Sequence, residues 1–244
     1  MKEIPPIDEK LVERGIYIDF EKTLRAEIPQ ILGVMIEGQY ICYVIDSCLE
    51  LAAINRIKQK TSENWMYEDP KDLLNKLLRF AEEEQRKIIG YSQSDMKTMI
   101  KIIGVKERIE NSYFNANMAT WFRKRRKTSY KNLLYQIKND KTNPSNRVGL
   151  KDLLSLDYVK YKYPSSINDY SPAKALREMM KCLNERKDYH LVPKGIKKSF
   201  GKIYQYNFHD CNGMKHLLEY RLRFGDLNKK DKNKIKSIEK QLNE

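Results

Sequence analysis

Three observations predict an α/β fold, a mixed sheet with helices on both faces. In residues 16–21, Ile16, Ile18 and Phe20 alternate with Tyr17, Asp19 and Glu21, which is the period of a strand. The β-rich runs 30–37 and 39–46 meet at Glu37-Gly38-Gln39, the shape of a hairpin turn. Residues 70–86 read as an amphipathic helix and run straight into the apolar stretch Ile88-Ile89-Gly90-Tyr91. Strand, long helix and short strand make a crossover unit, which sets 88–91 parallel to the first strand. Three antiparallel strands are therefore expected first and parallel strands after them.

On the first strand the period puts Asp19 and Glu21 on one side of the pleat. Neighbouring carboxylates repel, so a structural role for the pair needs a cation, most economically a divalent metal. The competing reading makes the odd positions the solvent face of an edge strand. Residues 48–60 read as a short helix or an elaborated connection. Asp69-Pro70 starts the next helix, since Asp caps well and Pro fits the first helical position, and Leu73, Leu74, Leu77, Leu78 and Ala81 supply its apolar stripe. Ser92-Gln93-Ser94-Asp95 opens a further helix to about residue 103.

Between Trp121 and Lys138 stand seven Lys or Arg residues and no acid. Arg123, Lys124, Arg125, Arg126, Lys127 and Lys131 lie among Trp121, Phe122, Tyr130 and Tyr135, pairing cations for phosphates with aromatic faces for bases, as single-stranded nucleic acid favours. A solvated helix with an aromatic core face is the competing reading. Residues 138–147 read as a loop, 149–156 as a helix and 158–170 as a tyrosine-rich irregular stretch. Ser171-Pro172 starts a helix through Ala175, Leu176, Met179, Met180 and Leu183. The last substantial helix holds Ile203, Tyr206, Asp210, Met214, Leu217 and Leu218. One domain over 1–225, with a basic helical insert at about 109–147 and a Lys-rich tail over 226–244, is the expected organisation.

Lys and Arg outnumber Asp and Glu by 47 to 33, for a formal net charge of +14, so polyanions are the first partners to consider. Cys42, Cys48, Cys182 and Cys211 form no CxxC pair, which suggests neither a zinc ribbon nor a disulfide framework. No run reaches the ~18 apolar residues of a membrane span, and residues 1–10 are acidic and proline-bearing, unlike a signal peptide. A soluble cytoplasmic protein is expected, with no membrane partner. His209 and His216 lie two turns apart on one helix without a third ligand, so zinc is not predicted.

In the late helix, Tyr206 and Asp210 stand at i and i+4, on one helical face. With Asp19, Glu21 and Asp95 they give four carboxylates and a phenol in the order strand, helix start, late helix. Here the chain resembles the ribonuclease H-like exonucleases with four acidic metal ligands. The first motif is Ile18-Asp19-Phe20-Glu21, the second runs from Ile88 through Gly90 and Ser92 to Asp95, and the third is Tyr206-Asn207-Phe208-His209-Asp210. Gln205 stands where the histidine branch would need its histidine, so the tyrosine (DEDDy) branch is favoured. Residues 29–34 and Gly149-Leu150-Lys151-Asp152-Leu153-Leu154 are similar to the YprB-like, or ribonuclease H type 2 exonuclease-like, domains.

The resemblance spans roughly residues 15–220 and implies a two-metal-ion exonuclease. Two Mg²⁺ or Mn²⁺ ions would be held by Asp19, Glu21, Asp95 and Asp210, and Tyr206 would orient the attacking water. Cleavage would run 3′ to 5′ on single-stranded DNA or RNA, with the basic segment gripping the backbone. A non-catalytic nucleic-acid-binding module on the same scaffold is the alternative reading, and a protein-interaction subunit with incidental charge is a third.

Overall fold

The computed structural model describes residues 7–24, 26–59, 62–119, 149–155, 159 and 161–224. The nucleic-acid contacts expected at Trp121, Arg123, Lys124, Arg125, Arg126, Lys127, Tyr130 and Lys131 lie outside the described residues, as does the tail at 226–244.

Six strands form one sheet: β1 (Ile16–Glu21), β2 (Ile31–Ile36), β3 (Gln39–Val44), β4 (Trp65–Tyr67), β5 (Ile88–Gly90) and β6 (Tyr113–Asn115). Their spatial order is β4-β3-β2-β1-β5-β6. β1, β2 and β3 are antiparallel neighbours, β5 runs parallel to β1, and β6 runs parallel to β5. The part β3-β2-β1-β5-β6 is consistent with a ribonuclease H-like arrangement, and β4 adds a parallel edge beside β3. Glu37 and Gly38 both have positive φ, 52° and 80°, as a two-residue hairpin turn that matches strand twist requires.

The helices of the described residues are α1 (Glu9–Arg14), α2 (Glu50–Lys58), α3 (Pro70–Glu83), α4 (Gln93–Ile103), α5 (Lys106–Ser112), α6 (Ala116–Ala119), α7 (Leu150–Leu154), α8 (Pro172–Arg186) and α9 (Lys194–Phe224). Asp69 accepts from the backbone N–H groups of Lys71 and Asp72 and Pro70 sits in the first turn, so α3 begins where its cap signal placed it. It ends at Glu83, short of residue 86, and Gln85 takes a positive φ of 50° on the way into β5.

Strand alternation divides the core in two. Ile16, Ile18, Leu32, Val34 and Ile88 pack under α3, α4 and α5 through Leu74, Leu78, Met99 and Ile109. Tyr17, Ile31, Met35, Cys42 and Val44 pack under α2, α7, α8 and α9 through Ala53, Leu153, Met179, Phe200, Ile203, Cys211 and Met214. Each such fully buried aliphatic side chain contributes about 1.5–3 kcal/mol. The 31-residue α9 crosses this second face over β1 and β2.

That placement overturns the edge-strand alternative for Asp19 and Glu21. β1 lies between β2 and β5, and the odd face of β1 is the one α9 covers. β5 pairs only with Ile16 and Tyr17, so Asp19 and Glu21 stand beyond the end of β5, where parallel strands of an open sheet leave a crevice.

Candidate metal centre

Asp19 and Glu21 come from the carboxyl end of β1, and Asp210 comes down onto them from α9. Each offers a carboxylate oxygen, and the three oxygens lie within 4.8 Å of one another. Asp19 and Glu21 are partly buried, and Asp210 is 8% exposed. Burial, followed by the charges of Asp210, Glu21 and Asp95, holds the Asp19 carboxyl well above the usual carboxylate range. Glu21 is raised by burial and then by Asp210, against a lowering by Lys151. Burial pushes Asp210 up to about 7, although Tyr163 and Lys151 both pull it down. Three acids gathered this closely out of water bind protons or a cation.

Asp95 stands outside this triplet. It is the third residue of α4 and closes a capping box: its Oδ2 accepts from Ser92 N at 2.9 Å and from Ser92 Oγ at 3.2 Å. Its charge still reaches the site, since it helps raise Asp19 and Glu21. Gly90 makes this packing possible, because a Cβ there would lie 2.3 Å from the Tyr113 hydroxyl and 3.1 Å from Asp95 Oδ2.

Tyr206 lies one turn before Asp210. Burial, then the charges of Asp210, Glu21 and Asp19, raises its phenol above the ordinary range and keeps it protonated. The phenol hydrogen-bonded to Asp210 is a different one, Tyr163, whose hydroxyl donates to Oδ1. Lys151 of α7 completes this side of the site, its Nζ 4.2 Å from the ring centre of Tyr206 and 5.0 Å from that of Tyr163. Burial lowers the Lys151 pKa while Asp210 and Glu21 oppose that shift.

The other participant that sequence reasoning missed is Asn207, which is fully buried. Its Nδ2 donates to Asp19 Oδ2 at 2.7 Å and to the Asp19 carbonyl at 3.1 Å, and its Oδ1 accepts from Tyr40 OH at 2.9 Å. Asp19 pairs across β1 and β2 with Gly33, where a Cβ would come within 1.5 Å of Asn207 Oδ1. A glycine inside a strand often marks such a close approach, and Gly33 was the one legible sign of this contact. His209 and His216 take no part in the triplet: Tyr161 OH meets His209 Nδ1, and His216 Nε2 meets the Val159 carbonyl.

The donor set is all carboxylate oxygen, without thiol or imidazole, which fits the hard ions Mg²⁺ and Mn²⁺. No helix of the described residues is long and apolar enough to cross a membrane. Comparison with protein-family models, with curated proteins and with solved structures finds no match for this chain, so the functional reading rests on the geometry just described.

Proposed function

We propose that this chain is a metal-dependent nuclease of the ribonuclease H-like exonuclease kind, in the tyrosine branch, hydrolysing phosphodiester bonds of single-stranded DNA or RNA from the 3′ end. The observation that carries the reading is the meeting of Asp19, Glu21 and Asp210 at the carboxyl end of a central strand, with ligand oxygens within 4.8 Å of one another. Asp19, Glu21 and Asp210 would hold two ions, with Asp95 adding charge from the next helix. Such a pair, when bound, activates water and stabilises the leaving oxygen.

The chain's own residues set the stage for that chemistry. Asn207 fixes one oxygen of Asp19 and its backbone together, and Tyr163 fixes one oxygen of Asp210. A metal-binding carboxylate held by such a partner keeps its orientation. Tyr206, protonated at neutral pH, has a hydrogen to donate and can hold a water or a phosphate oxygen, but it is no base. Lys151 places a positive charge beside Glu21 and Asp210, where a phosphate oxygen would approach.

The test is degradation of a 5′-labelled single-stranded oligonucleotide with Mg²⁺ or Mn²⁺. Wild type should yield a ladder of shortened products, and Asp19→Asn and Asp210→Asn should lose more than a hundredfold in rate. A wild type that binds the strand but leaves it whole with either metal would refute the nuclease reading in favour of a non-catalytic binding module.

A further inference from the structure

A basic recess of about 270 Å³ opens beside the first half of α9, lined by Arg56, Glu63, Lys198, Gly201, Lys202 and Gln205. Lys198, Lys202 and Gln205 follow one another at i, i+4 and i+7, so they share a helical face. Arg56 reaches in from α2, and its guanidinium is seated against α9 only because residue 201 is glycine: a Cβ there would lie 2.1 Å from Nη2 and 2.6 Å from Cζ. Nη2 donates to the Lys197 carbonyl, and Nε is buried with no hydrogen-bond partner. Lys202 Nζ donates to the Ser166 carbonyl at 3.0 Å. Glu63 is the one acid of the lining, and its Oε2 accepts from Trp65 Nε1 at 2.8 Å. Among the described residues, none of the three cations is in an ion pair.

Three cations line this recess and, among the described residues, pair with no carboxylate, so an anion bound there would offset their mutual repulsion. The Arg56 guanidinium is held by the Lys197 carbonyl through Nη2 and by Gln59 Oε1 at 3.5 Å through Nη1, and the second N–H of each of these nitrogens is left to meet a phosphate oxygen. Tyr170 bridges the residue after Lys198 and the acid cluster's phenol: its hydroxyl donates to the Ser199 carbonyl at 2.7 Å and its ring centre lies 5.7 Å from that of Tyr206. Lys202 and Asp210 are separated by about 12 Å along the helix axis, at 1.5 Å per residue.

We infer that this recess is a phosphate subsite, holding a backbone phosphodiester of a single strand whose end lies at the acid cluster. The assignment rests on the nuclease reading for the position of that end, and on the recess alone for the anion.

The experiment measures binding of a 5′-fluorescein oligothymidylate to the full chain by anisotropy over a range of KCl. Ca²⁺ replaces Mg²⁺, so binding is read without turnover. With Lys198→Gln and Lys202→Gln combined, the slope of log K against log salt should become shallower by about 0.7, the value for one lost phosphate contact. Lys174→Gln with Lys181→Gln, on α8, removes the same charge elsewhere and should leave the slope as in wild type. An unchanged slope in the first pair, or an equal change in both, overturns the subsite. Gly201→Ala keeps every charge but displaces the guanidinium, and it should weaken binding severalfold; wild-type affinity in this variant, folded by circular dichroism, also counts against the proposal. Inorganic phosphate at matched ionic strength separates a strand contact from a free-anion site. If it raises the wild-type melting temperature but not that of the Lys198/Lys202 variant, while the oligothymidylate slope is unchanged, the recess takes free phosphate and the inference is overturned. Hydrolysis by wild type in Mn²⁺ is scored separately: no hydrolysis with the slope difference intact refutes the nuclease reading and supports the strand contact.

Discussion

Replacing Asp210 with Asn should make the metal-free protein more stable at neutral and alkaline pH. The Asp210 carboxyl is raised to about 7 in the folded chain, against about 3.9 in an unfolded one. Between those values the folded state holds the extra proton. Its contribution to stability is therefore complete below about pH 4 and lost as pH rises through 7. Three pKa units at about 1.4 kcal/mol each give on the order of 4 kcal/mol lost by pH 8. Asn carries no charge to bury, and its Oδ1 can still accept from Tyr163. Asp210→Asn should thus melt several degrees above wild type at pH 8 in EDTA, at about 2–4 °C per kcal/mol for a chain of this size. Near pH 4 the two should converge. Saturating Mn²⁺ should reverse the order at pH 8, because binding to the folded state stabilises wild type by mass action. Thermal melts at the two pH values, with and without metal, read all of this. A variant no more stable than wild type in EDTA at pH 8 would show that the acids do not confront one another as described.

Other perturbations separate the site's parts. Gly33→Ala drives a methyl group into Asn207 and should cost about 3 kcal/mol, from overpacking and lost buried hydrogen bonds; urea denaturation measures it, and a cost under about 1 kcal/mol would contradict the contact. Lys151→Met removes a cation that lowers both Glu21 and Asp210, so Mn²⁺ affinity should fall at low pH and rise at high pH; calorimetric titrations across pH would show the two profiles crossing, and parallel profiles would exclude the effect. Asp95→Asn keeps an acceptor for Ser92 and should change stability by less than about 1 kcal/mol. It should also weaken Mn²⁺ binding less than Asp19→Asn does, and equal losses would make Asp95 a full ligand.

What could be read from the sequence was carried by short-range signals. The alternation of 16–21, the Glu37-Gly38 turn, the Asp69-Pro70 cap and the Ser92 to Asp95 capping box each act within a few residues, and each placed its element. β4 and β6 are three residues long, too short for any period, and exist by pairing with β3 and β5. Whether Asp19 and Glu21 faced water or a helix depended on sheet order, which alternation does not encode. Tyr163 and Lys151 reach Asp210 from an irregular stretch and a five-residue helix, so only tertiary packing brings them there. Asn207 stood inside the third motif with no role assigned, and its bond to Asp19 follows from the close approach that Gly33 allows, which only the packing of α9 on β2 sets.

One unbroken helix carries Lys198, Lys202, Tyr206, Asn207 and Asp210. A rod of this kind works as a gauge: the interval between the anion recess and the acids is set by residue count, and no hinge lies between them to stretch it. Adding a single residue within that interval would turn one group against the other by about 100°, so a strand that fits must match this fixed spacing.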